Sequence, residues 1–375
     1  LEIGTHNKSK FEGLKILNDF GREKNNWLFN SPDLNESTTK LLESTNLLAE
    51  KNKNLEVRRA SYSRNWQEVL IAATDGVFAR DIRLHQTVGV NVIAVKDKSR
   101  STSARRYGSS GNPNDLRNWD INQSSTELNE SAQKMLHAEY VEAGQMPVVL
   151  ANKFGGVIFH EACGHLLETT QLERGTSPFH DKVNKQIAHK ALSAVDEGLS
   201  NYAFGSLSID DEGMEPQNTL LIEGGILKKF LSDRAGSLRT GHPRTGSGRR
   251  QNFSFAAASR MRNTYIKQGM FSPENLIESV DNGLYCKSMG GGSVGPTGQF
   301  NFSVEEGYLI KNGKLDKPVK GATLIGEAKE ILPRISMCAN DLDLAAGFCG
   351  SVSGSVNVTV GQPHIKVDSI TVGGR

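Results

Sequence analysis

Short apolar runs punctuated by glycine and polar turns set the rhythm of most of this chain. Residues 34–50 carry a helical pattern through Leu41, Leu42, Leu47 and Leu48, after which Leu55–Tyr62, Glu68–Thr74 and Thr87–Val95 read as strands. The polar, Gly/Ser/Asn-rich stretch from Ser99 to Ser125 predicts a lid or a connection, and Glu127–Ala143 predicts a surface helix. Met146–Leu150 is a short apolar run of the kind found in buried strands. Gly155–Phe159 then leads into a helical segment that continues through Leu166, Leu167 and Glu168. Beyond residue 200, strands such as Thr219–Ile222, Gly307–Ile310 and Val356–Val360 alternate with Gly-rich turns. The pattern predicts an α+β protein divided near residue 140. An N-terminal α/β sandwich-like domain spans 1–140 and a β-rich C-terminal domain carrying the helix after Phe159 spans 141–375.

Composition narrows the class without identifying it. The 375 residues are 37% hydrophobic and 23% charged, ordinary for a globular protein and enough for two domains. The 44 basic and 42 acidic residues leave a net charge of +2, which argues against a general attraction to nucleic acid. No apolar stretch approaches the ~20 residues needed to cross a bilayer and Leu1 opens no recognisable signal peptide, so a cytoplasmic protein without a membrane partner is expected. Cys163, Cys286, Cys338 and Cys349 are too scattered for a disulfide framework, leaving free thiols or metal ligation.

The segment His160-Glu161-Ala162-Cys163-Gly164-His165 is where chemistry concentrates. Zinc peptidases place two histidines at i and i+4, one helical turn apart, with a glutamate between them as general base. Here the spacing is one residue longer, and five steps on a regular helix rotate the second histidine by roughly 140° from the first. The segment must distort to bring both imidazoles to one ion. A π-type widening would do so, with Gly164 supplying backbone freedom. A catalytic zinc also needs a third protein ligand and an open position. Cys349, between Gly347 and Gly350, is the candidate, against the alternative of a buried inert thiol. Cys163 is expected to pack, and Glu168 to orient a histidine or to ligate.

Several segments in order resemble the TldD/PmbA metallopeptidases, most closely the TldD-type subunit that keeps the metal motif. They are Thr74-Asp75-Gly76 with Asp81-Ile82-Arg83, Phe159 to His165, Asp210 to Gly213, Thr245 to Arg250, Gly290 to Gly292, Pro318 to Thr323, and Gly361-Gln362-Pro363 with Val372-Gly373-Gly374. The resemblance implies a zinc-dependent peptidase in which His160, His165 and Cys349 hold the ion and Glu161 is catalytic. It also implies a dimer, with itself or with a paralogous subunit, that encloses the site and degrades unfolded or extended peptides. The family's usual Gly-Lys after the ligand cysteine is replaced by Gly350-Ser351, residues 1–30 match poorly, and the family's N-terminal domain is usually longer.

On this reading Glu161 takes a proton from a zinc-activated water and returns it to the leaving amine. A His2Cys set could also accept Fe(II), less favourably than zinc. Arg249, Arg250 and His242 are candidates for contacting the oxyanion or substrate, against solvated loop charges. The Gly290–Gly292 run lacks the residues of a phosphate loop and predicts a β-turn or a close backbone approach. Asp210-Asp211-Glu212 lacks the alternation of a calcium loop and predicts a structural turn facing the site, and Arg239–Arg250 suggests a peptide or subunit contact. The competing class is a non-enzymatic modulator or binding partner with a structural metal. Such a site is usually closed by four ligands, whereas three are found here.

Overall fold

Long antiparallel strands with alternating burial open the computed structural model, which describes residues 15–16, 39, 55–97, 99–111, 120–200, 203–295 and 297–374. The helical pattern expected over 34–50 lies, but for residue 39, outside them. Leu55–Ala72, Phe78–Lys96 and Ser99–Ser110 form a meander, with Lys15–Ile16 added in parallel beside Ala79 and Arg80. Two expectations need correction. The strands run unbroken for 18 and 19 residues, and the first 12 residues of the stretch read as a lid or connection are the edge strand of this sheet. Ser101, Ser103, Ser109 and Ser110 on it are buried, while Ser99, Arg100, Thr102 and Arg106 form the exposed row that an edge strand tolerates.

Helix Ile121–Leu136 begins at Asp120, whose side chain accepts the Gln123 N–H at 2.8 Å and so satisfies one of the orphan donors at the helix start. Its apolar positions Leu128, Ala132 and Leu136 pack on Val88, Val90, Val92 and Ala94 of the meander. The helix therefore lies earlier than Glu127–Ala143, and Glu139–Tyr140 instead pairs with Lys314–Lys320 in the next sheet.

The remainder of the chain builds two sheets. In an eight-stranded sheet, Asn282–Val294, Gly144–Leu150, Ile365–Gly373, Thr323–Glu327 and Gln299–Lys311 follow one another, and pairing of Gln299–Lys311 back to Asn282–Val294 closes them into a barrel. Gly290–Gly292 lies in this barrel's strand, and of the two readings the close approach holds: a Cβ on Gly292 would stand 2.2 Å from the Asn301 carbonyl oxygen. A six-stranded sheet runs Asp343–Ser351, Gly354–Gln362, Asn263–Ile266, Ala194–Glu197, Thr219–Glu223 and Ile226–Leu227. Between the two systems lies the segment 153–167. Val157, Ile158, Phe159, Ala162, Leu166 and Leu167 join residues of both in one continuous core. Mixed α and β elements around a β-rich second half agree with the expected fold class. No helix among the described residues is long and apolar enough to cross a membrane.

Candidate functional site: a two-histidine, one-cysteine cluster

Strand Gly144–Leu150 delivers the chain to a 3-10 turn, Lys153–Gly156, lying on the strand Gly354–Gln362. The approach is so close that a Cβ on Gly156 would stand 2.6 Å from the Gly361 backbone, so only glycine fits. From there Val157–Ala162 forms an α-helix with His160 and Glu161 on its last turn. The expected π widening is not formed. Cys163 leaves helical geometry at φ −116°, ψ −49°, and Gly164–Leu167 continues as a tighter 3-10 turn. A break with a change of winding redirects His165 toward His160, achieving by another route what a π bulge would have done. Gly164 is needed for room and not for conformational freedom: a Cβ there would lie 2.1 Å from Met261 Sδ.

The structure brings His160, His165 and Cys349 together. His160 Nε2 and His165 Nε2 each lie 3.2 Å from Cys349 Sγ, and the three ligand atoms all fall within 4.8 Å of one another. Tetrahedral zinc with ordinary Zn–N and Zn–S bonds would set N···S separations of ~3.5 Å, so the set fits a His2Cys ion without rearrangement of the backbone. His160 and Cys349 are buried, and among the described residues His160 Nδ1 has no hydrogen-bond partner, leaving Nε2 as its working atom. Burial opposes ionisation of Cys349, yet His165 and His160 hold its thiol well below the usual range. Burial likewise works against a charged His165, but the adjacent Glu168 carboxylate and Cys349 raise it well above the ordinary imidazole value.

Glu168 is fully buried and bridges two segments. Its Oε2 lies 3.1 Å from His165 Nδ1, and its Oε1 accepts the Met261 N–H at 3.1 Å. That contact fixes which His165 nitrogen faces the cluster. Glu161 stands on the other side: its Oε2 is 3.6 Å from His165 Nε2 and its side chain is 27% exposed, whereas His165 is 13% exposed. The carboxylate is thus the part of the constellation open to water. Cys163 is buried and burial alone raises its thiol far above the usual value, in keeping with a packing role.

The remaining candidates are placed elsewhere. Buried Arg249 donates to the carbonyls of Met261 (2.6 Å) and Asn357 (2.7 Å), and burial, with Arg260 and Arg83 nearby, pushes it down to about 9. It props the strands beneath the cluster and is not free to meet an oxyanion. His242 packs its ring on Phe230, with centroids 4.8 Å apart, and burial lowers it. Arg250 gives its backbone N–H to Asp211 Oδ2 at 2.8 Å and is half-buried. Asp210-Asp211-Glu212 forms a structural turn: Asp210 accepts the N–H groups of Glu212, Met214 and Gly248, and Asp211 pairs with Arg83 at 2.7 Å.

The sequence reading passed over Arg260 and Arg262. Both are fully buried, Arg262 against Asp196 at 2.5 Å and Arg260 against the turn that carries Cys349. Two arginines alternating inside Ser259–Ile266, an otherwise strand-like run, are the signal that was available, since a cation in such a run must have buried partners.

Comparison with known proteins bears on the family. Residues 27–136 match the PmbA/TldA metallopeptidase central domain and residues 143–374 the PmbA/TldA metallopeptidase C-terminal domain. The chain is 41% identical over 325 residues to the metalloprotease TldD homolog of Haemophilus influenzae, covering 84% of this chain and 67% of that protein. It is 36% identical over 257 residues to the zinc metalloprotease TldD homolog of Saccharolobus solfataricus, covering 68% of this chain and 58% of that one. Among solved structures, TldE from Thermococcus kodakarensis superposes with a TM-score of 0.71 at 21% identity, covering 90% of this chain and 74% of that one. Two domain matches spanning most of the sequence, joined to relatives of this identity, show that the chain belongs to the TldD/PmbA metallopeptidase family.

Proposed function

We propose that this metallopeptidase uses zinc, held by His160, His165 and Cys349, to hydrolyse peptide bonds in unfolded or extended peptides, with Glu161 as general base. The observation that carries the reading is the position of Glu161, a water-facing carboxylate beside three otherwise enclosed donors. Zinc bound there would supply an acidified water and a Lewis acid for the scissile carbonyl. Glu161 takes the water proton and hands it to the departing amide nitrogen. Glu168 engages His165 Nδ1, which leaves Nε2 as the nitrogen that faces the ion site. A thiolate in the donor set also suits Fe(II), and zinc is preferred for its tetrahedral chemistry.

Three donors with a carboxylate on the open side favour an enzyme over a modulator with a closed structural ion. The strand that carries Cys349, Asp343–Ser351, pairs on one side only among the described residues. A peptide laid along such an edge is held through its main chain, which supports broad recognition of extended segments. We further infer two domains, 1–140 and 141–375, a cytoplasmic site of action, and a dimer formed with a second copy or a paralogous subunit. Arg250, whose guanidinium makes no hydrogen bond among the described residues, is the remaining arginine for contact with substrate.

The test is Glu161→Gln. The amide keeps the size of the side chain and cannot accept the proton, so metal content is expected to stay at the wild-type level while peptide turnover falls about 10²–10⁴-fold. A metal-loaded variant with unchanged turnover would refute the role of Glu161.

A further inference from the structure

Resting on the proposed ligand set, we propose that Arg260 is a positioning residue for the metal centre: its buried guanidinium fixes the turn that presents Cys349, while its neighbour Met261 fixes the support of His165. The two ligands come from segments far apart in sequence, and the Arg260-Met261 dipeptide touches the support of both.

On one side, Arg260 donates to the Cys349 carbonyl, to Ser353 Oγ at 2.8 Å and to the Gly354 carbonyl at 2.9 Å. These three acceptors all belong to the reversal between strands Asp343–Ser351 and Gly354–Gln362, where Gly354 sits at φ +83°. A planar guanidinium with its donors in a fixed fork can hold three acceptors at set angles, which a lysine cannot. On the other side, the Met261 N–H is bonded to Glu168, the partner of His165 Nδ1, and the Met261 side chain fills the space beside Gly164. The dipeptide is itself anchored: Arg260 N–H donates to Ser247 O at 2.9 Å, and Arg249 donates to Met261 O.

The acceptors of Arg260 are also informative in kind. Arg262, equally buried, is matched by the Asp196 carboxylate. Arg260 forms no ion pair with a carboxylate among the described residues, and its hydrogen bonds go to two carbonyls and a hydroxyl. A buried cation held only by the main chain and one serine of a single turn is costly unless it fixes that turn, and the turn carries the thiolate.

The experiment uses the full chain loaded with cobalt(II) or zinc. Arg260→Gln and Arg260→Lys are compared with wild type, with Cys349→Ser, and with Arg262→Lys as a cationic core substitution away from the Cys349 turn. The readouts are the thiolate-to-cobalt absorption band and the loss of zinc to a chelator. Both Arg260 variants are expected to weaken or shift the band and to lower zinc affinity about 10–100-fold, the range typical of residues that orient ligands. Ser353→Ala, which removes one acceptor and leaves the core charge in place, is expected to act in the same direction more weakly. Wild-type band and zinc retention in Arg260→Lys, or an equal loss in Arg262→Lys, would overturn the proposal. If Arg260→Gln does not fold, Arg260→Lys and Ser353→Ala decide. A band that survives Cys349→Ser would instead overturn the ligand assignment itself.

Discussion

Single residues show how burial assigns roles that composition cannot. Arg249 and Arg250 are neighbours of identical chemistry, yet one is locked onto carbonyls in the core and the other stands half-buried at the edge of the acidic turn. Asp210 is a sharper case. Burial, aided by the nearby Glu212, outweighs its three backbone donors and raises its carboxyl from the usual range to about 6. A carboxyl whose value is raised on folding contributes stability that is complete below about 4 and lost as pH rises through about 6, a swing of up to ~3 kcal/mol. Asp210→Asn cannot show that loss. Its deficit in urea stability relative to wild type is therefore expected to shrink between about pH 4 and pH 6. A deficit independent of pH would show that Asp210 is not the group responsible. The His160–His165 segment and Cys349 were legible as a candidate cluster because histidine and cysteine are chemically rare residue types at meaningful spacings. Arg260 and Arg262 were not, because their partners are carbonyls and an acid made adjacent only by the folded sheets.

At the scale of elements, periodicity found the strands at Met146–Leu150, Thr219–Ile222, Gly307–Ile310 and Val356–Val360, and the misreadings have physical causes. Ser99–Ser110 is polar at exposed and buried positions alike, with Ser101, Ser103, Ser109 and Ser110 buried, so its composition mimicked a loop. The helix after it begins at an aspartate cap and not at the first glutamate, and its far end turns into the strand Glu139–Tyr140. This helix is the main apolar cover of the N-terminal sheet. Leu128 is fully buried within it, so Leu128→Ala is expected to cost ~2–5 kcal/mol in folding stability. Zinc affinity should hold, since the cluster lies in other elements. Calorimetry beside a zinc titration checks both, and a loss of affinity matching the loss of stability would show that the two halves do not behave independently.

For the whole molecule, neither the closure of the barrel nor the seating of the helix bearing His160 between barrel and sheet was legible beforehand, since both depend on pairings between distant strands. The basic run from Arg239 to Arg250 also reads differently in three dimensions. Arg239 pairs with Glu173, Arg244 with Glu212, and Arg249 is interior, so much of that charge is matched within the chain. The enclosure of the cluster bears on substrate. A folded domain would have to open locally before its backbone reached Glu161, at a cost approaching a global stability of ~5–15 kcal/mol. Unstructured peptides of unrelated sequence are expected to be cut while a stable domain containing the same segment survives, as read by mass spectrometry of matched digests. Equal rates would mean that access to the site is unrestricted.

The separation of Cys349 from the two histidines has a consequence for biosynthesis. His165 and Cys349 are 184 positions apart, and Cys349 is held in place by a hairpin whose second strand pairs with Asn263–Ile266. During translation the histidines and Glu161 emerge long before the thiolate, at a pace of roughly 5–20 residues per second. A nascent chain thus carries two-thirds of the donor set for many seconds without the residue that completes it. On the proposed ligand set, the metal site stays incomplete until the C-terminal hairpin docks.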